Sequence, residues 1–137
     1  MVALDAKPPA PPFLLAIGRL GHQFGVEVIA CHVVMRSTSV AGNEMDGSPA
    51  NPEEVAILAS IRHQLVRSFG EEGHQVPIKI LHGDPGQRIC EYARFAACDV
   101  IVLESRETTL SQRLRGSVRK YVAGASPCSV LILGDRG

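Results

Sequence analysis

The sequence predicts an α/β fold, a five-stranded parallel sheet with helices on both faces. Two observations lead there. Strand-like apolar runs alternate with helix-period segments along the whole chain. Several of the strand runs are apolar throughout rather than alternating, the pattern of strands buried on both faces of a parallel sheet.

The elements follow in order. Met1 to Leu4 is a stubby first strand that ends at Asp5. The prolines of residues 8 to 12 cannot sit inside a helix and mark a stiff loop. Phe13, Ile17, Leu20 and Phe24 then recur at helical spacing, with Gly25 as the stop. Val26 to Val34 is rich in β-branched residues and reads as the second strand. Residues 36 to 52 are polar, with Gly, Ser, Asn and Pro, and read as a variable surface loop. Asn51 caps the next helix, Pro52 takes its first turn, and Glu53 and Glu54 lie near its positive end. Val55, Leu58, Ile61, Leu65 and Phe69 form its apolar stripe, and Gly70 and Gly73 end it.

Val76 to Leu81 is the third strand. His82 to Gly86 is a turn in which Asp84 caps the following helix and Pro85 opens it. Ile89, Ala93, Ala96 and Ala97 face inward. Val100 to Leu103 is a fourth strand, expected to be buried on both faces. A polar loop from Glu104 to about Gln112 precedes a helix striped by Leu114, Val118, Tyr121, Val122 and Ala125. Pro127 stops it, Ser129 to Leu133 is the last strand, and residues 134 to 137 read as a loose tail. The expectation is one domain over residues 1 to 137, with ligands meeting it beyond the carboxyl ends of the strands.

Composition excludes several functions. Basic and acidic residues balance, 14 against 14, so no global charge favours nucleic acid or an anionic membrane. Aromatics are only 4%, too few for base-stacking platforms. The apolar stretch from Val26 to Met35 is too short to span a bilayer. The first residues lack a signal-peptide pattern, so a cytoplasmic location is expected. Cys31, Cys90, Cys98 and Cys128 form no C-x-x-C pair and read as reduced, mostly buried thiols.

Four stretches resemble the universal stress protein family. Val2-Ala3-Leu4-Asp5 is similar to its first strand, and Cys31-His32-Val33-Val34 to its strand ending in His-Val. The run from His82-Gly83-Asp84-Pro85 to Asp99-Val100-Ile101-Val102 resembles the family's Gly-x-Pro…Ile…Ala…Asp-Leu-Ile-Val pattern. Arg113 to Leu133 resembles its Gly-Ser-Val helix and closing Pro-Cys-Pro-Val strand, and is the most specific of the four. The resemblance implies a Rossmann-like fold and homodimers paired through the last strand, here Val130, Leu131, Ile132 and Leu133. It also implies a nucleotide site. Asp5 would lie near base and ribose, and the backbone of Val33 would meet the base. Leu103, Arg106 and the helix start at Gly116, Ser117 and Val118 would meet the rest.

The chain departs from that pattern. Nucleotide-binding members carry Gly-x2-Gly-x9-Gly-Ser after the fourth strand. Here Glu104 and Glu107 replace the leading glycines, the gap to Gly116 is one residue short, and the first loop reads Asp5-Ala6-Lys7 before its prolines. Glycines let backbone approach phosphate oxygens, and a helix start offers free N–H groups. A carboxylate about 4 Å from a phosphate oxygen costs roughly 1 to 4 kcal/mol at protein-surface dielectrics. Arg106, Arg113, Arg115 and Arg119 supply opposing charge, either to an anion or to the two glutamates.

Three functions compete. The first is a non-enzymatic stress-response module, a homodimer acting through protein partners with no cofactor and no tight ATP binding. The second is an ATP- or AMP-binding switch using the Gly116-Ser117 helix start, with at most slow hydrolysis. The third is a redox or metal-responsive sensor built on Cys31 and neighbouring histidines, which requires an accessible thiol of low pKa. No spacing of His and Cys marks a metal site, and no nucleophile or P-loop motif marks a catalytic one.

Overall fold

In the computed structural model, residues 1–3, 11–34, 51–105 and 111–134 are described. Five strands alternate with four α-helices: β1 (Val2–Ala3), α1 (Pro11–Phe24), β2 (Ala30–Val34), α2 (Pro52–Phe69), β3 (Ile78–His82), α3 (Pro85–Phe95), β4 (Val100–Ser105), α4 (Ser111–Ala125) and β5 (Ser129–Gly134). A 3₁₀ turn, Gly70–His74, follows α2. All strand pairs are parallel and the order is β3-β2-β1-β4-β5. The fold class read from the sequence is the one observed.

The two faces carry separate cores. Phe13, Leu14 and Ile17 of α1 and Ile61 and Leu65 of α2 pack with Val2, Ala30 and Ile78 on one face. Ile89 and Ala93 of α3 and Val122 of α4 pack with Cys31, Leu81 and Ile101 on the other. Side chains alternate across each strand, so consecutive residues of β2 feed opposite cores.

Both expected caps form. Asn51 Oδ1 accepts from the Glu54 N–H and Asp84 Oδ1 from the Gln87 N–H, each at 3.0 Å. The variable loop therefore stops short of Asn51 and Pro52, and Gly134 lies in β5. The rest of residues 36 to 52 and residues 135 to 137 fall outside the described residues.

Several boundaries differ from the sequence reading. β2 starts at Ala30, because Gly25, at φ 63°, turns the chain out of α1 and the Val26 N–H donates to the Gly21 carbonyl. That closing bond is a Schellman-type cap, and it leaves Val26 exposed. β3 begins at Ile78 because the Val76 carbonyl accepts from the Arg62 guanidinium at 2.6 Å. β4 runs on through Glu104 and Ser105, and its first residue, Val100, is exposed rather than buried.

The helix stripes are rotated or shortened. Leu20 and Phe24 emerge from the core at the end of α1, where Phe24 is 66% exposed. In α3, Ala96 is half-buried and Ala97 exposed, the latter beyond the helix at φ 51°. Tyr121 and Ala125 of α4 are exposed, while Val122 is fully buried.

The first turn of α2 holds the largest reversal. Val55 is 51% exposed, whereas Glu54 is only 3% exposed. The Glu54 carboxylate meets His82 Nε2 at 2.5 Å, so a buried acid ties the start of α2 to the carboxyl end of β3. Removing one partner of such a pair leaves the other unsatisfied. Glu54→Ala should therefore lower unfolding free energy by about 1–3 kcal/mol. Val55→Lys should change it by no more than about 0.5 kcal/mol. Urea denaturation of the two variants measures both, and equal losses would show that the pair contributes nothing.

Candidate functional site

The switch in strand order lies at β1, with β2 on one side and β4 on the other. Ala3 is the register partner of both Cys31 and Leu103. Val33 lies two residues past Cys31, and Glu104 one past Leu103, so both stand on the carboxyl side of β1. Leu103 is buried in the α3/α4 core, and Val33 and Val118 pack against that same core. The structure thus gathers Val33, Leu103 and Val118 on one face of the sheet. Asp5, Arg106 and Glu107 lie outside the described residues.

Helix α4 departs from the expected phosphate cradle. It starts at Ser111, not at Gly116. The free first-turn N–H groups of a helix belong to its first residues, which places Gly116, Ser117 and Val118 inside the hydrogen-bonded ladder. The expected helix start at Gly116-Ser117 therefore becomes an interior turn. Glu104 is half-buried at the end of β4, in register with Leu133 of β5. A strand-end carboxylate stands where the family pattern has its first glycine.

α4 is held close to α3 by a small residue. A Cβ on Gly86 would stand 2.8 Å from Tyr121 Cδ1, so the tyrosine ring crosses α3 where a side chain is missing. This contact accounts for Tyr121 turning along the helix surface rather than into the core.

The histidines are on the other face. His32 follows Cys31 in β2 and so shares the face of Ala30, toward α1 and α2, where it is buried. His82 meets Glu54 of α2 on that same side. The sheet therefore separates His32 and His82 from Val33, Leu103 and Val118. Among the described residues, no group of three or more His, Cys, Asp or Glu is placed to hold a metal ion. His22, His63 and His74 are exposed, as expected.

Sequence reasoning missed the Glu54–His82 pair. Its signal was present as two consecutive acids in the first turn of α2. The inner one occupies the position from which a capping-box glutamate reaches back to the helix start, but here it reaches across to β3.

A groove of about 1090 Å³ lies away from the switch point, between the last turns of α1 and α2. Arg19, His22, Phe69, Glu71 and Glu72 border it, near the amino ends of β2 and β3.

The Cys31 sensor reading fails on exposure. Cys31 is 0% exposed, and burial pushes its thiol pKa up to about 12. At neutral pH it is a protonated core side chain, the reverse of a reactive thiolate. A maleimide or disulfide reagent at pH 7 should leave Cys31 unmodified in the folded protein and modify it in denaturant. Peptide mapping reads both states, and rapid labelling of Cys31 in the folded protein would restore the sensor reading.

No curated protein matches the sequence. Solved structures match over nearly the full length. A universal stress protein in complex with cAMP is 18% identical at a TM-score of 0.63, covering 96% of this chain and 94% of its own. The universal stress protein UspA from Lactobacillus plantarum is 19% identical at 0.61, covering 96% and 95%. A universal stress protein family protein from Arabidopsis thaliana with AMP bound is 14% identical at 0.51, covering 99% and 92%. At these identities the structures establish the shared fold. The Universal stress protein family profile itself matches residues 1–134. Parallel topology, core placement and sequence profile agree, and the chain belongs to the universal stress protein family.

Proposed function

We propose that this universal stress protein is a regulatory module of the stress response that works as a homodimer through a protein partner. It acts in the cytoplasm, catalyses no reaction, and holds neither ATP nor another cofactor tightly. The observation that carries this reading is the half-buried carboxylate of Glu104 at the carboxyl end of β4. It replaces the glycine through which the family's backbone approaches phosphate and adds negative charge at that end of the sheet, with its side chain alternating to the α1/α2 face shared by Leu133. The early start of α4 at Ser111 supports the same reading, since it engages the amides of residues 116 to 118 within the helix.

A second reading is an AMP- or ATP-dependent switch. It is favoured by Val33, Leu103 and Val118 bordering one core on one face of the sheet, and by relatives solved with cAMP and with AMP. Calorimetric titration separates the two. The native chain should show no heat of binding with millimolar AMP or Mg²⁺–ATP. The Glu104→Gly/Glu107→Gly variant should gain at least about tenfold in affinity, about 1.4 kcal/mol. Micromolar binding by the native chain would establish the switch instead.

The proposed homodimer forms through β5, an edge strand on which Leu131 and Ile132 are 38% and 44% exposed. An exposed apolar edge needs a cover. Val130 packs against the α3/α4 core, so a charge there would disturb folding as well. Ile132 gives the cleaner test. Ile132→Lys should run as a monomer in sedimentation velocity with an unchanged circular dichroism spectrum. A dimer that survives the change would exclude β5 as the interface.

A further inference from the structure

The groove between the last turns of α1 and α2 carries opposite charges on its two sides. Helix α1 forms one side, where Leu15, Arg19 and His22 recur at i, i+4 and i+7 and so share one side of the helix. Glu71 and Glu72 of the 3₁₀ turn border the other. Arg19, His22, Glu71 and Glu72 are all exposed. Among the described residues, Arg19, Glu71 and Glu72 have no ion-pair partner. The lining between them is apolar. Phe69 of α2 lies against Gly18 of α1, where a Cβ would stand 3.0 Å from the ring. Leu15 is left 44% exposed on the α1 side.

These features specify the occupant. A purely acidic or purely basic ligand would pair with one side and meet like charge at the other, which disfavours binding. The groove therefore fits a surface that is itself divided, base beside acid around an apolar centre. The chain's own α1 and 3₁₀ turn present that pattern. In an isologous contact, residue i of one copy meets j of the other, and j meets i. Across a two-fold axis, the ridge of α1 enters the groove of the second copy, as ridges fill grooves in helix packing. Arg19 then faces the second copy's Glu71 and Glu72, Leu15 comes to its Phe69, and each contact is made twice.

We propose that a second copy of this chain docks in the α1/α2 groove, giving the protein a self-association face distinct from β5. Helices α1 and α2 pack on Val2, Ala30 and Ile78 of β1, β2 and β3, and β5 is the far edge of the sheet. Both faces can therefore be occupied at once. The rim charges are exposed, and exposed ion pairs are weak and screened by salt. The groove contact accordingly forms in concentrated rather than dilute solution. Docking doubles the unit present in dilute solution, whether that unit is a single chain or a pair joined at β5, so the two interfaces stand or fall separately.

The test is sedimentation equilibrium of the full chain at low ionic strength over rising protein concentration. The wild type should climb toward twice its dilute-solution mass. In about 1 M salt, where the Debye length is about 3 Å, it should keep the dilute value. Arg19→Glu and Glu71→Lys/Glu72→Lys should each keep the dilute value as well, because like charges then meet in both halves of the contact. Their equimolar mixture should climb as the wild type does. In the mixed pair every acid again faces a base: the introduced glutamate meets the introduced lysines, and the native Arg19 meets the native Glu71 and Glu72. That recovery also excludes misfolding as the cause of the losses. A wild type that keeps its dilute mass, a rise that survives the salt, a single variant that climbs alone, or a mixture that does not recover would each overturn the proposal.

Discussion

The sheet depends on β1, whose two residues join its halves. Val2 donates to the Ile29 carbonyl at 2.7 Å on the β2 side, and Val102 donates to the Met1 carbonyl at 2.7 Å on the β4 side. A buried central strand leaves no water to satisfy its backbone, so both sides must be paired. Each further strand is then laid outward, β3 beyond β2 and β5 beyond β4. The change of direction at β1 creates the crevice at the carboxyl ends, and it divides the helices into an α1/α2 layer and an α3/α4 layer.

That division sorts the chemistry of the molecule. The α1/α2 face holds His32, His82 and Glu54, and here polar groups serve to fasten one element to another. The α3/α4 face holds Val33, Leu103 and Val118 together with the four cysteines. Helix α4 runs along this face, with Val118 at its midpoint and its last turn leading to Cys128.

The fold was legible because its signals are local and redundant. Asn51-Pro52 and Asp84-Pro85 each combine a side-chain cap with a proline at the helix start, and both helices begin there. Exposure was less legible. Val55 and Glu54 are neighbours with opposite affinities for water, and their places are exchanged because His82 supplies the acid with a partner from another strand. No periodicity in one segment encodes that distant partner. The crevice was partly legible. Val33, Leu103 and Val118 border one core, but α4 starts at Ser111 rather than at Gly116, which the glycine spacing alone does not settle.

Both flanks of the polar segment between β2 and α2 are fastened to the end of β3. The carbonyl of Val34 accepts from the Gly83 N–H at 3.0 Å, and Glu54 is held by His82. The entry and exit of residues 35 to 50 are therefore set by neighbouring positions on one strand. The end of β3 thus works as a clasp, holding the exit of β2 and the entry of α2 at a fixed separation.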